Sequence, residues 1–173
     1  DDSVFEHDFD PLNIPEDKIT VTLTRLGGGF GRRLKFDYVT EAAELSSIIK
    51  APVKVTWLKE DDMAGGSYRP AVRYRFEAAL DAKGNMVGYK LRGVGINSGN
   101  PTRQDNFPAG AVDNLLIESV EHVSPITTGP WRAPITNFLA YAEQSFLDEV
   151  AFAAKKDPVQ FRLELLQKAK DHP

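Results

Sequence analysis

The sequence predicts an α+β fold built on a mixed β-sheet. Before residue 53, a strand-like segment, a glycine-rich loop and a helical segment follow one another. After residue 70, two long alternating segments are joined by a short turn, and two helix-like segments close the sequence. We therefore expect one strand–loop–helix crossover unit, a long β-hairpin, and two adjoining C-terminal helices that pack on the sheet.

The composition limits the classes of function. The net charge of −4 argues against a general nucleic-acid binder, because phosphate contacts need a basic surface. No apolar run is long enough to span a bilayer, so we expect no membrane insertion. The sequence has no cysteine and three scattered histidines, so it offers neither ligands for an iron–sulfur cluster nor the spacing of a side-chain metal site.

The first segments predict an irregular start followed by the crossover unit. Residues 1–18 are acidic, contain two prolines and lack periodicity, and we interpret them as a lead-in to a domain over residues 19–173. Residues 19–26 alternate apolar and threonine side chains, which is typical of a half-buried strand. The strand should end at a glycine-rich loop.

A helix and a second strand should complete this unit. Apolar residues recur at helical spacing over residues 36–50, and Pro52 forces the helix to stop. Residues 53–58 read as a strand, and the short connections favour placing it in one sheet with the first. Residues 60–66 read as a polar, glycine-containing connection.

The middle of the chain predicts the hairpin. Residues 72–80 alternate apolar and charged side chains, residues 81–85 read as a turn, and residues 87–91 return in phase. Beyond Arg92 the apolar positions change face, which Gly93 would allow through a bulge. We expect the second strand to bend there.

Two loops with a short strand between them follow the hairpin. Residues 97–114 and 124–134 are rich in glycine and proline, and residues 115–123 form the predicted strand. Long loops without secondary structure are either functional or lack a partner. We expect both loops to face missing parts of a longer protein and to be poorly ordered in this chain.

The C-terminal third predicts two helices. The first helix spans residues 137–154, and the second begins with Asp157 as its N-cap and Pro158 at its first position. The predicted inward faces carry Leu139, Ala142, Phe146, Val150 and Ala153 in the first helix, and Val159, Leu163 and Leu166 in the second.

The loop LGGGFGRR at residues 26–33, called the glycine loop below, predicts an anion-binding site. Glycines between a strand and a helix expose backbone amides to a ligand, and Arg32 and Arg33 add positive charge. The loop lacks the Gly-Lys-Ser/Thr ending of a P-loop, and Arg32 interrupts a G-x-G-x-x-G pattern. An alternative is a tight turn in which Phe30 fills the core.

The glycine loop resembles a loop of the large, molybdenum-cofactor-binding subunit of the xanthine dehydrogenase and aldehyde oxidase family. The arginine pair makes the isoquinoline 1-oxidoreductase β-subunit branch the nearest match. The segments APVKVTWLKEDDM, TTGPWRAP and AEQSFLDEVAFAAKKDPVQFRLELL resemble the same subunit in the same order. The resemblance implies that Gly28, Gly29, Phe30 and Gly31 contact the molybdopterin cofactor through their amides, and we place Arg32 in the same site.

The TTGPWRAP segment, residues 127–134, is called the tryptophan–arginine loop below. In the family, the matching loop carries an arginine that orients the substrate, so the resemblance implies that Trp131 and Arg132 bind substrate. Core packing of Trp131 and an interdomain salt bridge of Arg132 are the alternatives.

The resemblance also implies an activity and partners. Family enzymes hydroxylate an aldehyde carbon or a carbon beside nitrogen in a heteroaromatic ring, with oxygen from water. We expect the cytosine dinucleotide form of the cofactor, iron–sulfur clusters on a small partner subunit, and contact with the remainder of the large subunit and a small-molecule substrate. The resemblance leaves the compartment open between periplasm and cytoplasm.

One motif of the whole enzyme does not occur in this sequence. The family's catalytic glutamate follows Gly-Val-Gly, and we assign none of Glu60, Asp61 and Asp62 to catalysis because a solvated turn explains them. We therefore expect a fragment, the first molybdopterin-binding subdomain, that is inactive alone. A non-catalytic anion-binding module and a purely structural domain are the competing hypotheses.

Overall fold

The computed structural model describes residues 12, 14–103, 106–133 and 136–171. The chain divides into two compact units, one of Asp1–Ser67 with Gly129–Arg132 and one of Tyr68–Thr128 with Ala133–Pro173. The predicted boundary at residue 18 stays a prediction, since most of the lead-in lies outside the described residues.

The second unit contains a three-stranded mixed sheet in the order β1-β2-β3. Strand β1, Val72–Leu80, pairs antiparallel with β2, Met86–Ile96, and β2 pairs parallel with β3, Asn114–His122. Strands β1 and β2 are the alternating segments of the sequence, and β3 is the short strand predicted over residues 115–123. The predicted hairpin, the predicted short strand and the mixed α+β fold are therefore confirmed.

Local side-chain chemistry closes the hairpin. One carboxylate oxygen of Asp81 accepts hydrogen bonds from the amides of Lys83 and Asn85, each at 2.8 Å. The hydrogen bonds that the amide and the side chain of Asn85 donate to Asp81 are the main reason that the pKa of the Asp81 carboxyl lies below its usual range. Gly84 takes the positive φ of 76° that this turn requires.

The predicted bulge at Gly93 is wrong. Gly93 pairs in register with Tyr74, and the only irregularity of this ladder within the described residues lies between Ala79 and Leu80. A Cβ placed on Gly93 would lie 2.6 Å from Cγ2 of Thr102. The glycine therefore permits close packing of the loop on β2 and does not change the path of the strand.

The segment between β2 and β3 belongs to the core. Thr102 is fully buried, Phe107 is buried, and a 3-10 turn spans Ala109–Ala111. A parallel pair needs a long connection, and this one fills the space beside its own strands. The described part of residues 97–114 therefore has partners within its own unit, contrary to a loop that lacks a partner, whereas the described residues from 124 to 133 are irregular as predicted. The expected poor order of the two loops stays a prediction.

Helices α3, Thr136–Ala153, and α4, Pro158–Asp171, supply the rest of the second unit's core. Asp157 accepts hydrogen bonds from the amides of Val159 and Gln160 at 2.9 Å, which confirms the predicted N-cap. In α3, Leu139 and Val150 are buried as predicted, but Ala153 is exposed. The buried hydrophobic residues of the unit are Met86, Tyr89, Leu91, Phe107, Ala111, Val112, Leu139, Leu147, Val150, Ala151, Phe161 and Leu165.

The predicted inward face of α4 is wrong. Val159, Leu163 and Leu166 are more than half exposed, whereas Phe161 and Leu165 are buried. Helix α4 carries apolar residues on two faces, and helical spacing alone does not select between them. The largest side chain, Phe161, occupies the core.

A buried carboxylate lies in the core of the second unit. Glu143 accepts hydrogen bonds from the Tyr89 hydroxyl and the Asn106 side-chain amide, both at 3.0 Å. Tyr89 stacks on Phe107 with ring centroids 4.1 Å apart. Burial, and then the charge and hydrogen bond of Glu143, raise the pKa of Tyr89, so this hydroxyl stays a donor.

The first unit contains two helices. Helix α1, Asp37–Ile49, ends with Lys50 in the left-handed region, just before Pro52 as predicted. Helix α2, Lys59–Gly65, occupies the region predicted as a polar connection, where the Asp61 carboxylate accepts a hydrogen bond from the Leu58 amide at 2.8 Å.

The two strands predicted on either side of α1 are wrong. Residues 19–26 and 53–58 form no β-ladder among the described residues, and Leu23 is 87% exposed. Alternation predicts a strand with one covered face, but a strand also requires a neighbour that completes its hydrogen bonds. The described part of the chain supplies none to these segments.

None of the helices in the described ranges combines the length and the hydropathy that a membrane crossing requires.

Candidate functional site

The glycine loop forms a strained turn at the start of the first unit's helical part. Phe30 has a φ of 50° and Gly31 a φ of 89°, and a 3-10 turn over Arg32–Leu34 follows. A bulky residue in the left-handed region costs about 1–3 kcal/mol and persists only where neighbouring contacts hold it. Such strain is concentrated at functional sites.

The amides of this loop are available as donors. Within the part of the chain that the structure describes, the N–H groups of residues 27–31 donate to no protein acceptor. Phe30 is 55% exposed, so it does not fill the core, and the alternative of a turn plugged by Phe30 is wrong. Five consecutive donors with one large side chain among them form a surface that can receive an anionic group.

The structure brings the glycine loop and the tryptophan–arginine loop together. The Arg132 amide donates to the Phe30 carbonyl at 2.6 Å, and the Arg132 guanidinium lies 5.5 Å from the centroid of the Phe30 ring. A Cβ on Gly31 would lie 2.7 Å from the carbonyl of Pro130 and from Cα of Trp131. These contacts hold Phe30 in its strained conformation.

Trp131 lies beside this junction. Trp131 is 58% exposed, so core packing does not explain it. The structure thus places Phe30, Gly31, Trp131 and Arg132 in one cluster, as a shared site requires.

Arg32 occupies a different environment from the loop amides. Its guanidinium donates to both carboxylate oxygens of Asp37, at 2.7 and 3.2 Å. The hydrogen bond that Arg32 donates to Asp37 is the largest cause that raises the pKa of Arg32. Partial burial acts to raise the pKa of Asp37, but the hydrogen bond and charge of Arg32 outweigh it, and the pKa of Asp37 is lowered.

Aromatic residues surround this ion pair. The Arg32 guanidinium lies 5.6 Å from the ring centroid of Tyr38 and 5.9 Å from that of Trp57. The Trp57 indole N–H donates to Glu41 at 2.7 Å, which ties residues 53–58 to α1. These contacts fix the end of the glycine loop against the first turns of the helix.

Sequence reasoning missed Asp37, Tyr38, Glu41 and Trp57. One signal was present, because opposite charges at Arg32 and Asp37 lie on the two sides of the step from loop to helix. The acidic residues Glu60, Asp61 and Asp62 are exposed in the first turn of α2, where their charges favour the helix dipole. Among the described residues, no group of three or more metal-ligating side chains converges.

Comparison with known proteins decides the family. The sequence profile of the molybdopterin cofactor-binding domain matches residues 9–115. The chain belongs to this family.

Three known proteins illustrate what this molybdopterin-binding chain is similar to. A membrane-bound aldehyde dehydrogenase of Gluconacetobacter polyoxogenes, whose name specifies pyrroloquinoline-quinone, is 32% identical over 90% of the chain and 23% of its own length. The β subunit of isoquinoline 1-oxidoreductase of Brevundimonas diminuta is 29% identical over 88% of the chain and 22% of its own length. A probable xanthine dehydrogenase subunit of Bacillus subtilis is 23% identical over 92% of the chain and 23% of its own length. The chain thus spans less than a quarter of the length of these relatives, and the resemblance predicted from the sequence is confirmed.

The residues of this molybdopterin-binding chain fit the chemistry of such a cofactor. A pterin with phosphate and oxo groups presents hydrogen-bond acceptors and negative charge, and the amides of residues 27–31 present donors without protein partners among the described residues. The exposed Phe30 ring offers a flat apolar surface beside them.

Proposed function

We propose that this chain holds molybdopterin on the amides of residues 27–31 as part of an oxidoreductase that hydroxylates an aldehyde or N-heteroaromatic carbon with oxygen from water. One observation carries the proposal: five successive amides of the glycine loop have no acceptor among the described residues. Gly28, Gly29, Phe30 and Gly31 are the proposed cofactor contacts.

The chain's own residues would bind and orient the reactants. The bound cofactor would supply the redox chemistry and the activation of water. Arg132 would hold a polar group of the substrate, because its guanidinium offers forked donors next to Phe30. The exposed Trp131 would form an aromatic wall for a planar substrate.

The wider assembly is also a proposal. We propose the cytosine dinucleotide form of the cofactor, a catalytic glutamate outside this sequence, and contact with the remainder of a large subunit. Because the sequence contains no cysteine, electrons would leave through iron–sulfur clusters on a partner subunit. The chain by itself would not turn over substrate.

The test uses the full protein that contains this chain, purified from its source and given aldehydes or N-heteroaromatic compounds with a dye as electron acceptor. In water enriched in oxygen-18, we expect labelled hydroxylated products. Arg132→Ala should lower kcat/KM at least tenfold without loss of cofactor, and Arg132→Lys should restore part of it. Products whose new oxygen atom is unlabelled, or no turnover with either compound class, would contradict the proposed activity.

A further inference from the structure

The two arginines of the glycine loop differ in their charge balance. Arg32 makes a two-pronged ion pair with Asp37, and the charge of Asp62 adds to its stabilisation. In the described residues, Arg33 forms no ion pair, although its guanidinium lies 5.0 Å from the Tyr38 ring centroid. Arg32 and Arg33 therefore both lie near the Tyr38 ring, but the carboxylate of Asp37 neutralises only Arg32.

Arg33 is also the arginine whose side chain starts on the glycine surface. A Cβ on Gly29 would lie 3.1 Å from Cβ and 3.5 Å from Cγ of Arg33, and the Arg33 amide donates to the Gly29 carbonyl at 3.4 Å. The side chain is exposed. It can therefore reach a group bound at the amides without breaking an existing ion pair.

We propose that Arg33 provides the cationic contact to the phosphate of the bound cofactor, and that Arg32 and Asp37 together are positioning residues that fix the loop on α1. This assignment rests on the proposed function. An anion near Arg32 would be repelled by the carboxylates of Asp37 and Asp62. An anion near Arg33 would instead neutralise its positive charge and accept forked hydrogen bonds from its guanidinium.

The experiment uses the full protein made in a host strain that produces no molybdopterin, with inorganic pyrophosphate as the probe in calorimetric titrations. Arg33→Gln should weaken pyrophosphate binding by about 10-fold or more, because one hydrogen-bonded charge contact is lost, and should leave the melting temperature unchanged. Arg33→Lys should restore part of the affinity.

Arg32→Gln is the matched control in the same loop. It should lower the melting temperature and weaken pyrophosphate binding less than Arg33→Gln does; Arg32→Lys replaces it if the glutamine variant does not fold. The proposal is overturned if the unaltered protein does not bind pyrophosphate, if Arg33→Gln binds it normally, or if Arg32→Gln has the larger effect on affinity.

Cofactor content separates this proposal from the proposed function. In a host that makes molybdopterin, Arg33→Gln should be purified with less pterin per chain than Arg32→Lys. If the unaltered protein binds pyrophosphate through Arg33 but never carries pterin, the proposed function fails, and Arg33 keeps a role as a phosphate contact but not as a contact to this cofactor. If it carries pterin and Arg33→Gln changes neither measurement, the assignment fails alone.

Discussion

Gly31 shows how a single residue joins the two loops of the site. Its positive φ of 89° and its approach to the main chain of Pro130 and Trp131 leave no room for a side chain. The glycine thus serves the contact between the loops, and the amides of residues 27–31 have no acceptor within the described part of the chain.

Replacing Gly31 with alanine should destabilise the first unit by about 2 kcal/mol or more, because the new Cβ meets backbone atoms that cannot move aside. Both tryptophans, Trp57 and Trp131, lie in this unit, so tryptophan fluorescence during urea unfolding of the chain measures the change. The matched control is Gly27→Ala, where a Cβ meets nothing within 4 Å and the change should stay within about 0.5 kcal/mol. Equal effects of the two substitutions would contradict the packing described for Gly31.

The ion pair of Arg32 and Asp37 should make stability depend on pH. The pKa of Asp37 is lowered in the folded chain, so the stabilisation is fully present above the ordinary carboxyl pKa of about 4 and is lost as the pH falls through the lowered value. The side chains of Arg32 and Asp37 are 34% and 48% exposed. Because water screens the attraction between exposed charges, the pair contributes about 0.5–1 kcal/mol to stability.

Asp37→Asn tests this dependence. At pH 7 the variant should unfold at a lower urea concentration than the original chain, followed again by tryptophan fluorescence. The difference between the urea midpoints of the two chains should disappear as the pH is lowered below about 4, because the Asp37 carboxylate of the original chain then becomes protonated. A difference that persists unchanged at low pH would show that Asp37 acts through packing.

Among the elements, α4 depends on its first turn. Asp157 satisfies two amides that the helix itself leaves without acceptors. Asp157→Ala should destabilise the second unit by about 1 kcal/mol, measured by circular dichroism during urea unfolding. Asp148→Ala removes only a surface ion pair with Arg162 and should cost about 0.5 kcal/mol or less. If the control costs as much as the cap, the cap does not explain the stability of α4.

Strand β2 depends on a glycine at its contact with the following loop. Gly93→Ala places a methyl group against the buried Thr102 and should cost about 1–3 kcal/mol. Adding Thr102→Ser removes the methyl that it meets, so the double variant should be more stable than the sum of the two single changes predicts. Urea unfolding of all four chains measures this coupling, and strict additivity would contradict it.

Local chemistry explains which elements the sequence predicts well. Asp81 and Gly84 determine the hairpin turn, and Asp157 with Pro158 determines the start of α4, because each set acts within a few residues. Alternation alone misplaced strands at residues 19–26 and 53–58, because the partner of a strand is a property of distant sequence. The prediction of the inward face of α4 was wrong for a similar reason, because the burial of Phe161 depends on packing against residues that are distant in sequence.

The candidate site divides in the same way. The glycines and the Trp131-Arg132 pair are visible in the sequence as local motifs. The hydrogen bond from Arg132 to Phe30 and the contact of Trp57 with Glu41 join segments that are distant in sequence, so spacing could not predict them. The sequence suggests that Arg32 is an unpaired positive charge, and only the fold shows that it forms an ion pair with Asp37.

For the molecule as a whole, the profile match over residues 9–115 establishes the molybdopterin-binding family, and the glycine loop shows how such a chain can present donors to the cofactor. The chain covers less than a quarter of its relatives' length. We propose that it binds and orients the cofactor, while the catalytic base and the electron-transfer groups lie on other segments.

The most direct measurement is the molybdenum and pterin content of the full protein that contains this chain, purified under mild conditions from its natural source. Elemental analysis and the fluorescence of the oxidised pterin should give equal molar amounts of the two, and Gly31→Ala should reduce both together. A protein that is folded and pure but carries neither molybdenum nor pterin would contradict the central claim that the amides of the glycine loop bind this cofactor.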